Sequence, residues 1–268
     1  MIFGEHAKCQ AEAEYPELWR GLVGAWSPCL NPRGGTTLYD LSGRGNYGTL
    51  TNMDPATDWV TSGGKTALDF DGSNDRVEIS DSASISFSGQ FGIVCWYWSS
   101  SGLSSSDVLI SKRLSPTYNY LLYFSATNKP VIYSDGLTPA SLTSSTAAPS
   151  SQLHCVVATY HPSLGRSLYI DGVLRGSDAP TGTPTTNTGK LHIGSDLTGS
   201  FAYPGLIFDA VLSETAYNAS AANAFYHLGP GGWATPRRRR WNYATAQTAI
   251  PYWVFARKNA RLIGGGVS

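Results

Sequence analysis

The sequence predicts an all-β fold: a two-sheet antiparallel β-sandwich with one short C-terminal helix and extended terminal arms. Three observations predict it. Short apolar runs recur at spacings near ten residues, broken by turn clusters. Charged residues make up only 14% of the 268-residue chain, while turn-forming residues, including 29 Gly and 15 Pro, abound. That composition suits short strands and many loops. No window carries a long 3.6-residue periodicity, so neither an all-α nor an α/β fold is expected.

Residues 1–20 are polar and read as an N-terminal arm, with helix-like pieces at Ala11–Glu14 and Pro16–Arg20. Gly21–Trp26 reads as the first strand. Pro28–Asn52 is rich in turn signals such as Asn31-Pro32 and Gly34-Gly35. Ala67–Ser80 alternates: Leu68 and Phe70 share a face, and Val77 and Ile79 resume the pattern after the turn at Asp71–Asp75. Phe91–Trp98 reads as a buried central strand, with Phe91, Ile93 and Cys95 on one face. Val108–Lys112, Tyr120–Phe124 and Val131–Tyr133 are further strands. Ser141–Ser151 reads as an exposed loop.

Leu153–Ser177 is the most informative stretch. The apolar run Cys155–Tyr160 meets a turn cluster, His161–Gly165, and Ser167–Ile170 follows. Asp171-Gly172 then supplies the pair a type I′ hairpin turn prefers, because both central residues need positive φ. Val173–Arg175 resumes extended chain. Lys190–Gly194 and Leu206–Leu212 complete the sheets. Ser213–Tyr226 opens on a potential N-cap serine and is rich in alanine, so it reads as the one clear helix. Organisation follows as an arm over 1–20, a sandwich over 21–228, and a basic, aromatic C-terminal arm over 229–268.

Several of these pieces stand in a telling order: GLVGAW at Gly21–Trp26, DLSG at Asp40–Gly43, ALDFDG at Ala67–Gly72 with Asp75–Val77, then Phe91–Trp96, His154–Tyr160, SLYIDG at Ser167–Gly172, Lys190–Gly194 and IFDAVLS at Ile207–Ser213. As an ordered set they resemble the laminin G-like, concanavalin A-like jelly-roll family, over about residues 20–228. The resemblance implies two sheets packed face to face, one often concave. It implies a module that binds carbohydrate or protein partners, of a kind common on bacterial and phage surface proteins. Two places depart from the pattern. Tyr203 and Pro204 stand where the family often has an acidic pair, and Leu153-His154 where many members have Trp-His.

Some jelly rolls hydrolyse glycosides, which takes two carboxyl groups about 5–9 Å apart. No alternating E-x-D-x-E pattern is present, and Glu78 and Asp81 fall on opposite sides of their strand. No enzyme is therefore expected, and no catalytic residue is assigned. Asp71, Asn74 and Asp75 cluster in one turn. They are the candidate calcium ligands, and equally the residues a turn would use anyway; no other cofactor is expected. His154 and His192 lie in strands, where hydrogen-bonded structural histidines are expected. Cys95 and Cys155 read as small core hydrophobes, with a disulfide between them as the alternative. Trp96, Trp98, Tyr120 and Tyr133 are the candidate ligand-binding residues, because exposed rings stack on sugars; filling a core is the competing reading.

The charge is divided. No acid follows Glu214, and seven cations at that end give it +7; the rest, with 12 basic and 19 acidic residues, carries −7. Arg237, Arg238, Arg239, Arg240, Trp241, Tyr252, Trp253, Phe255, Arg257, Lys258 and Arg261 are the expected partner-anchoring residues. Nucleic acid is a less favoured partner for the same mixture. No signal-like apolar run follows Met1 and no run of eighteen apolar residues occurs, so no membrane partner is expected. The resulting expectation is a non-enzymatic phage virion protein, a capsid decoration or tail surface protein. Its jelly roll faces outward to host glycans, and its arms hold it to capsid or tail subunits, with homo-oligomers expected. A free carbohydrate-binding module is the alternative, and a glycoside hydrolase on the same fold the more distant one.

Overall fold

The computed structural model describes residues 5–100, 103, 105–197 and 201–235. The chain opens with helices α1 (Glu5–Glu14) and α2 (Pro16–Trp19). Strands follow as β1 (Leu22–Trp26), β2 (Thr37–Leu38), β3 (Gly48–Thr51), β4 (Trp59–Ser62), β5 (Lys65–Asp71), β6 (Arg76–Ile79), β7 (Phe91–Trp98), β8 (Val108–Leu114) and β9 (Thr117–Phe124). Then come β10 (Pro130–Tyr133), β11 (Leu137–Thr138), β12 (Ser141–Thr143), β13 (Leu153–His161), β14 (Gly165–Ile170), β15 (Val173–Asp178), β16 (Thr181–Gly182), β17 (Leu191–Ile193) and β18 (Pro204–Ser213). Helix α3 (Ala219–Leu228) and a 3₁₀ turn at Gly232–Ala234 close the described chain.

Two eight-stranded antiparallel sheets pack face to face. The first runs β15-β14-β13-β7-β18-β5-β4, with β1 also on β18; the second runs β12-β10-β9-β8-β17-β6-β3-β2. The core between them takes alternate residues from facing strands, among them Phe91, Ile93, Cys95 and Tyr97 from β7 and Leu122 and Phe124 from β9. This is the face-to-face packing of a β-sandwich.

The first sheet is buried on its inner face and, beneath the helices, on its outer face as well. Its outer face carries Val94, Trp96, Cys155, Val157, Phe208 and Val211, and these meet Leu18 and Trp19 of α2, Phe225 of α3 and Trp233. Burial on both sides explains why β7 is a continuous apolar run instead of an alternating one. Trp233 is the keystone of this layer: its ring lies 5.3 Å from that of Trp19 and 6.4 Å from that of Phe225.

The sandwich agrees with the sequence expectation, and the hairpin turn at Asp171 (φ 54°) and Gly172 (φ 76°) has the predicted positive angles. Several details differ. The segment 1–20 is not an extended arm over its described part: Ala11, Tyr15, Leu18 and Trp19 are buried against the first sheet. Helix α3 starts at Ala219, because β18 continues to Ser213 and Asn218 is the cap, its side chain accepting the Ala221 N–H at 2.9 Å. Ser213 instead receives the Thr215 N–H and donates to the Arg20 carbonyl. Within 67–80 the alternation spans two sheets, since β5 and β6 belong to different ones and the turn at Asp71–Asp75 crosses between them. Ser141–Ser151 contains β12, an edge strand paired with β10. Cys95 and Cys155 are free; they face opposite sides of the sheet, one in each hydrophobic layer, which excludes a disulfide and supports the core reading.

Candidate functional site

Helices cover only part of the first sheet's outer face. Beyond them, register aligns Leu153 with Trp98, Trp98 with Leu206, and Leu206 with Asp69, across β13, β7, β18 and β5. These four residues therefore form one row on one face. Leu153 is 37% exposed, Trp98 is half-buried, Leu206 is buried and Asp69 is exposed. Trp98, Leu206 and Asp69 form the floor of an open groove of about 430 Å³, walled by Val60, Thr61 and Ser62 of β4 and by Ser100, Pro204 and Gly205. An apolar aromatic floor that carries one carboxylate, with hydroxyl groups at its rim, suits a ligand with both apolar faces and hydroxyl edges.

Two backbone features hold this floor. Gly205 has φ 149°, and a Cβ there would meet the Trp98 carbonyl at 2.4 Å, so only glycine lets β18 lie this close to β7. Asp209, farther along β18, is fully buried. Its Oδ2 accepts from the Gly231 N–H at 2.7 Å and from Trp233 Nε1 at 3.1 Å. Burial raises this carboxyl to about 6, an effect those hydrogen bonds only partly offset. Asp69 is also raised, first by desolvation against the groove wall and then by the charges of Asp58 and Asp71.

The structure separates the four candidate rings. Trp98 alone lines the groove. Trp96 points to the same side but lies under α3, stacked on Tyr226 at 6.0 Å and 3% exposed. Tyr120 is wholly buried in the central core, its hydroxyl donating to the Ile85 carbonyl. Neither buried ring offers a face to a ligand; both belong to the competing core reading. Tyr133 is half-buried on the other sheet, edge-on to Tyr118 at 5.7 Å, and donates to Asp135 Oδ1 at 2.7 Å.

The Asp71, Asn74 and Asp75 cluster is occupied with its own turn. Asp71 Oδ1 accepts the N–H groups of Ser73 and Asn74, and Asp75 Oδ2 accepts the Asp71 N–H at 3.0 Å. Among the described residues no group of three or more His, Cys, Asp or Glu side chains is arranged to hold a metal. The residues present thus fit the turn, and the calcium expectation gains no further ligand. The expected anchoring residues, Arg237, Arg238, Arg239, Arg240, Trp241, Tyr252, Trp253, Phe255, Arg257, Lys258 and Arg261, lie outside the described residues.

Other polar groups that drew attention are structural. His154 Nδ1 lies 2.8 Å from Asp171 Oδ2 and Nε2 lies 2.8 Å from the Pro149 carbonyl. Burial would lower this imidazole, but Asp171 and Pro149 outweigh it and raise it. His192 departs from expectation: its buried Nδ1 has no hydrogen-bond partner among the described residues, and desolvation pushes it down to about 4. Glu78 pairs with Arg76 and Lys190, and Asp81 with Lys112.

Sequence reasoning missed Asp69, although the alternation Asp69-Phe70-Asp71 places both carboxylates on one face of β5 and could have exposed it. It also missed Asp196, which gathers Ser111, Arg113 and Tyr118 on the second sheet. No local pattern announces Asp196, because its partners lie about eighty residues away.

The family model described as the concanavalin A-like lectin/glucanases superfamily (Laminin_G_3) matches residues 71–222. Comparison with curated proteins finds no match. Among solved structures, domain 4 of AbnA, a GH43 extracellular arabinanase from Geobacillus stearothermophilus solved with arabinotriose, is 15% identical with a TM-score of 0.58, covering 76% of this chain and 97% of that one. The binding domain of botulinum neurotoxin serotype G is 15% identical with a TM-score of 0.58, covering 77% of this chain and 51% of that one. Trypanosoma rangeli sialidase in complex with sialic acid is 15% identical with a TM-score of 0.57, covering 83% of this chain and 38% of that one. At these identities the likeness is one of fold.

Proposed function

We propose, for a chain that belongs to the concanavalin A-like lectin/glucanase superfamily, that it is a non-enzymatic carbohydrate-recognition module. In this reading it binds a short oligosaccharide in the groove floored by Trp98. The row Leu153–Trp98–Leu206–Asp69 carries the reading. The indole face stacks on a sugar ring, Leu153 and Leu206 extend the apolar floor, and the Asp69 carboxylate accepts from sugar hydroxyls. Thr61, Ser62 and Ser100 at the rim offer further hydroxyl contacts. Binding without hydrolysis is favoured because Asp69 is the one carboxylate lining the groove among the described residues. Glycosidic cleavage takes a pair of carboxyl groups flanking the bond.

The second part of the proposal is placement. The module is displayed on a virion, as a capsid decoration or tail surface protein, and its C-terminal arm anchors it to shell or tail subunits. The division of charge, +7 after Glu214 against −7 before it, supports an arm that seeks acidic partner surfaces. A free sugar-binding module is the alternative placement.

A glycan array probed with the full chain tests the first part, with arabino-oligosaccharides as the first probes because a fold relative was solved with arabinotriose. Specific binding that Trp98→Ala abolishes is the expected result. Binding of no glycan, or release of shortened sugars, overturns it. Mass spectrometry of purified particles tests the second part, and absence of the chain from every particle refutes it.

A further inference from the structure

Acidic residues crowd the β4–β5 side of the groove, and Asp69 among them lines it. Asp54, Asp58, Asp69, Asp71 and Asp75 crowd into the stretch leading through β4, β5 and the following turn. The charges of Asp58 and Asp71 act on Asp69, and those of all three act on Asp75. The six ion pairs among the described residues include none of these five. Lys65, the one cation within the stretch, turns its ammonium to the Pro230 carbonyl at 2.9 Å.

The described chain ends beside this groove. Asp209 clamps Gly231, and Thr235 Oγ1 donates to the Gly231 carbonyl at 2.8 Å, so the last described residue sits over the start of β5. Leu206, on the groove floor, lies three residues from Asp209 along β18, a distance of about 10 Å. From Thr235 the sequence continues for 33 residues with seven cations, no acid, and Trp241, Tyr243, Tyr252, Trp253 and Phe255. Charge is complementary, and the rings match an apolar aromatic floor. A tether this short gives the chain's own arm a high effective concentration at its own groove, well above that of any second copy.

We propose that the C-terminal segment Arg237–Arg261 docks in cis on the acidic groove of its own body, with its cations on Asp58, Asp69 and Asp71 and an aromatic ring on Trp98. The same surface is the sugar groove of the proposed function. The docking itself does not rest on sugar binding, and its test contains no sugar.

Zero-length carbodiimide cross-linking of the full chain, mapped by mass spectrometry, reads the contact directly. Lys258 is the arm's only lysine. A one-to-one mixture of ¹⁵N-labelled and unlabelled protein separates own-arm links from links between copies. The expected result is a Lys258 link to Asp58, Asp69 or Asp71 with unmixed labels. Its yield falls roughly fivefold or more in about 1 M salt, where the screening length drops to about 3 Å. The exposed change Asp69→Lys lowers it likewise. So does the change of all four of Arg237–Arg240 to Gln, which leaves the sandwich untouched and so excludes misfolding as the cause. Mixed labels overturn the proposal in favour of a second copy. Links that bypass the three aspartates, absence of any link, or a yield indifferent to salt and to both variants overturn it outright.

Discussion

Replacing Asp209 with asparagine is expected to remove a penalty that the folded protein carries near neutral pH. Asp209 is wholly enclosed, and burial raises its carboxyl from 3.8 to about 6. Because the folded value lies above the unfolded one, the group's contribution to stability is fully present below about pH 3.8 and is lost as pH rises through about 6. That gap corresponds to about 3 kcal/mol, or a melting shift of roughly 6–12 °C for a domain of this size. Asparagine keeps an oxygen to accept from Gly231 and from Trp233 Nε1 but has no proton to lose. Urea unfolding of both proteins between about pH 4 and pH 8 measures the effect, and every other titrating group cancels in the difference. The stability difference is expected to move in the variant's favour by about 2–3 kcal/mol across that range. Parallel profiles would refute the assignment of a buried, ionising carboxylate beneath the segment that leads to the arm.

Further outcomes follow from the same packing. Gly205→Ala is expected to cost about 1–3 kcal/mol and to weaken ligand binding, because the added carbon meets the Trp98 carbonyl at 2.4 Å; denaturant unfolding and a binding titration check both. Arg166 is fully buried and donates to Asp178 and to the Pro139 and Ala140 carbonyls, so Arg166→Met is expected to destabilise by about 3–5 kcal/mol in thermal unfolding. His154, raised by Asp171 and Pro149 against the effect of burial, stabilises the fold below its ordinary value of 6.5, and that contribution is lost as pH climbs through the raised value. His154→Gln should therefore show a weaker loss of stability between about pH 6 and pH 8 than the wild type, read by calorimetry at each pH.

Much of the fold was legible in the sequence because the signals were local. Asp171-Gly172 specified its turn, and the alternation in Ala67–Phe70 and Phe91–Cys95 specified which side faces the core. What local pattern could not convey was which sheet a strand joins: the alternation resumes unchanged after the turn at Asp71–Asp75, yet that turn carries the chain from one sheet to the other. The same limit governed the site. Trp96 and Trp98 are equivalent in sequence, two residues apart on one face, and only the position of α3 buries one and leaves the other open. Tyr120 lies on the inward side of its strand, which alternation with Leu122 and Phe124 could have revealed. Asp69 and Gly205, which complete the groove, are joined to Trp98 by register across three strands and not by spacing.

In the proposed function Trp98 forms the floor of a sugar-binding groove. Isothermal titration of one array-identified oligosaccharide into the full chain and into Trp98→Ala tests it most directly, with circular dichroism confirming that both are folded. Loss of the indole is expected to weaken binding by about 10–100-fold, the effect of removing a central aromatic anchor. An unchanged affinity in the folded variant would contradict the account and move the recognition surface elsewhere on the sandwich.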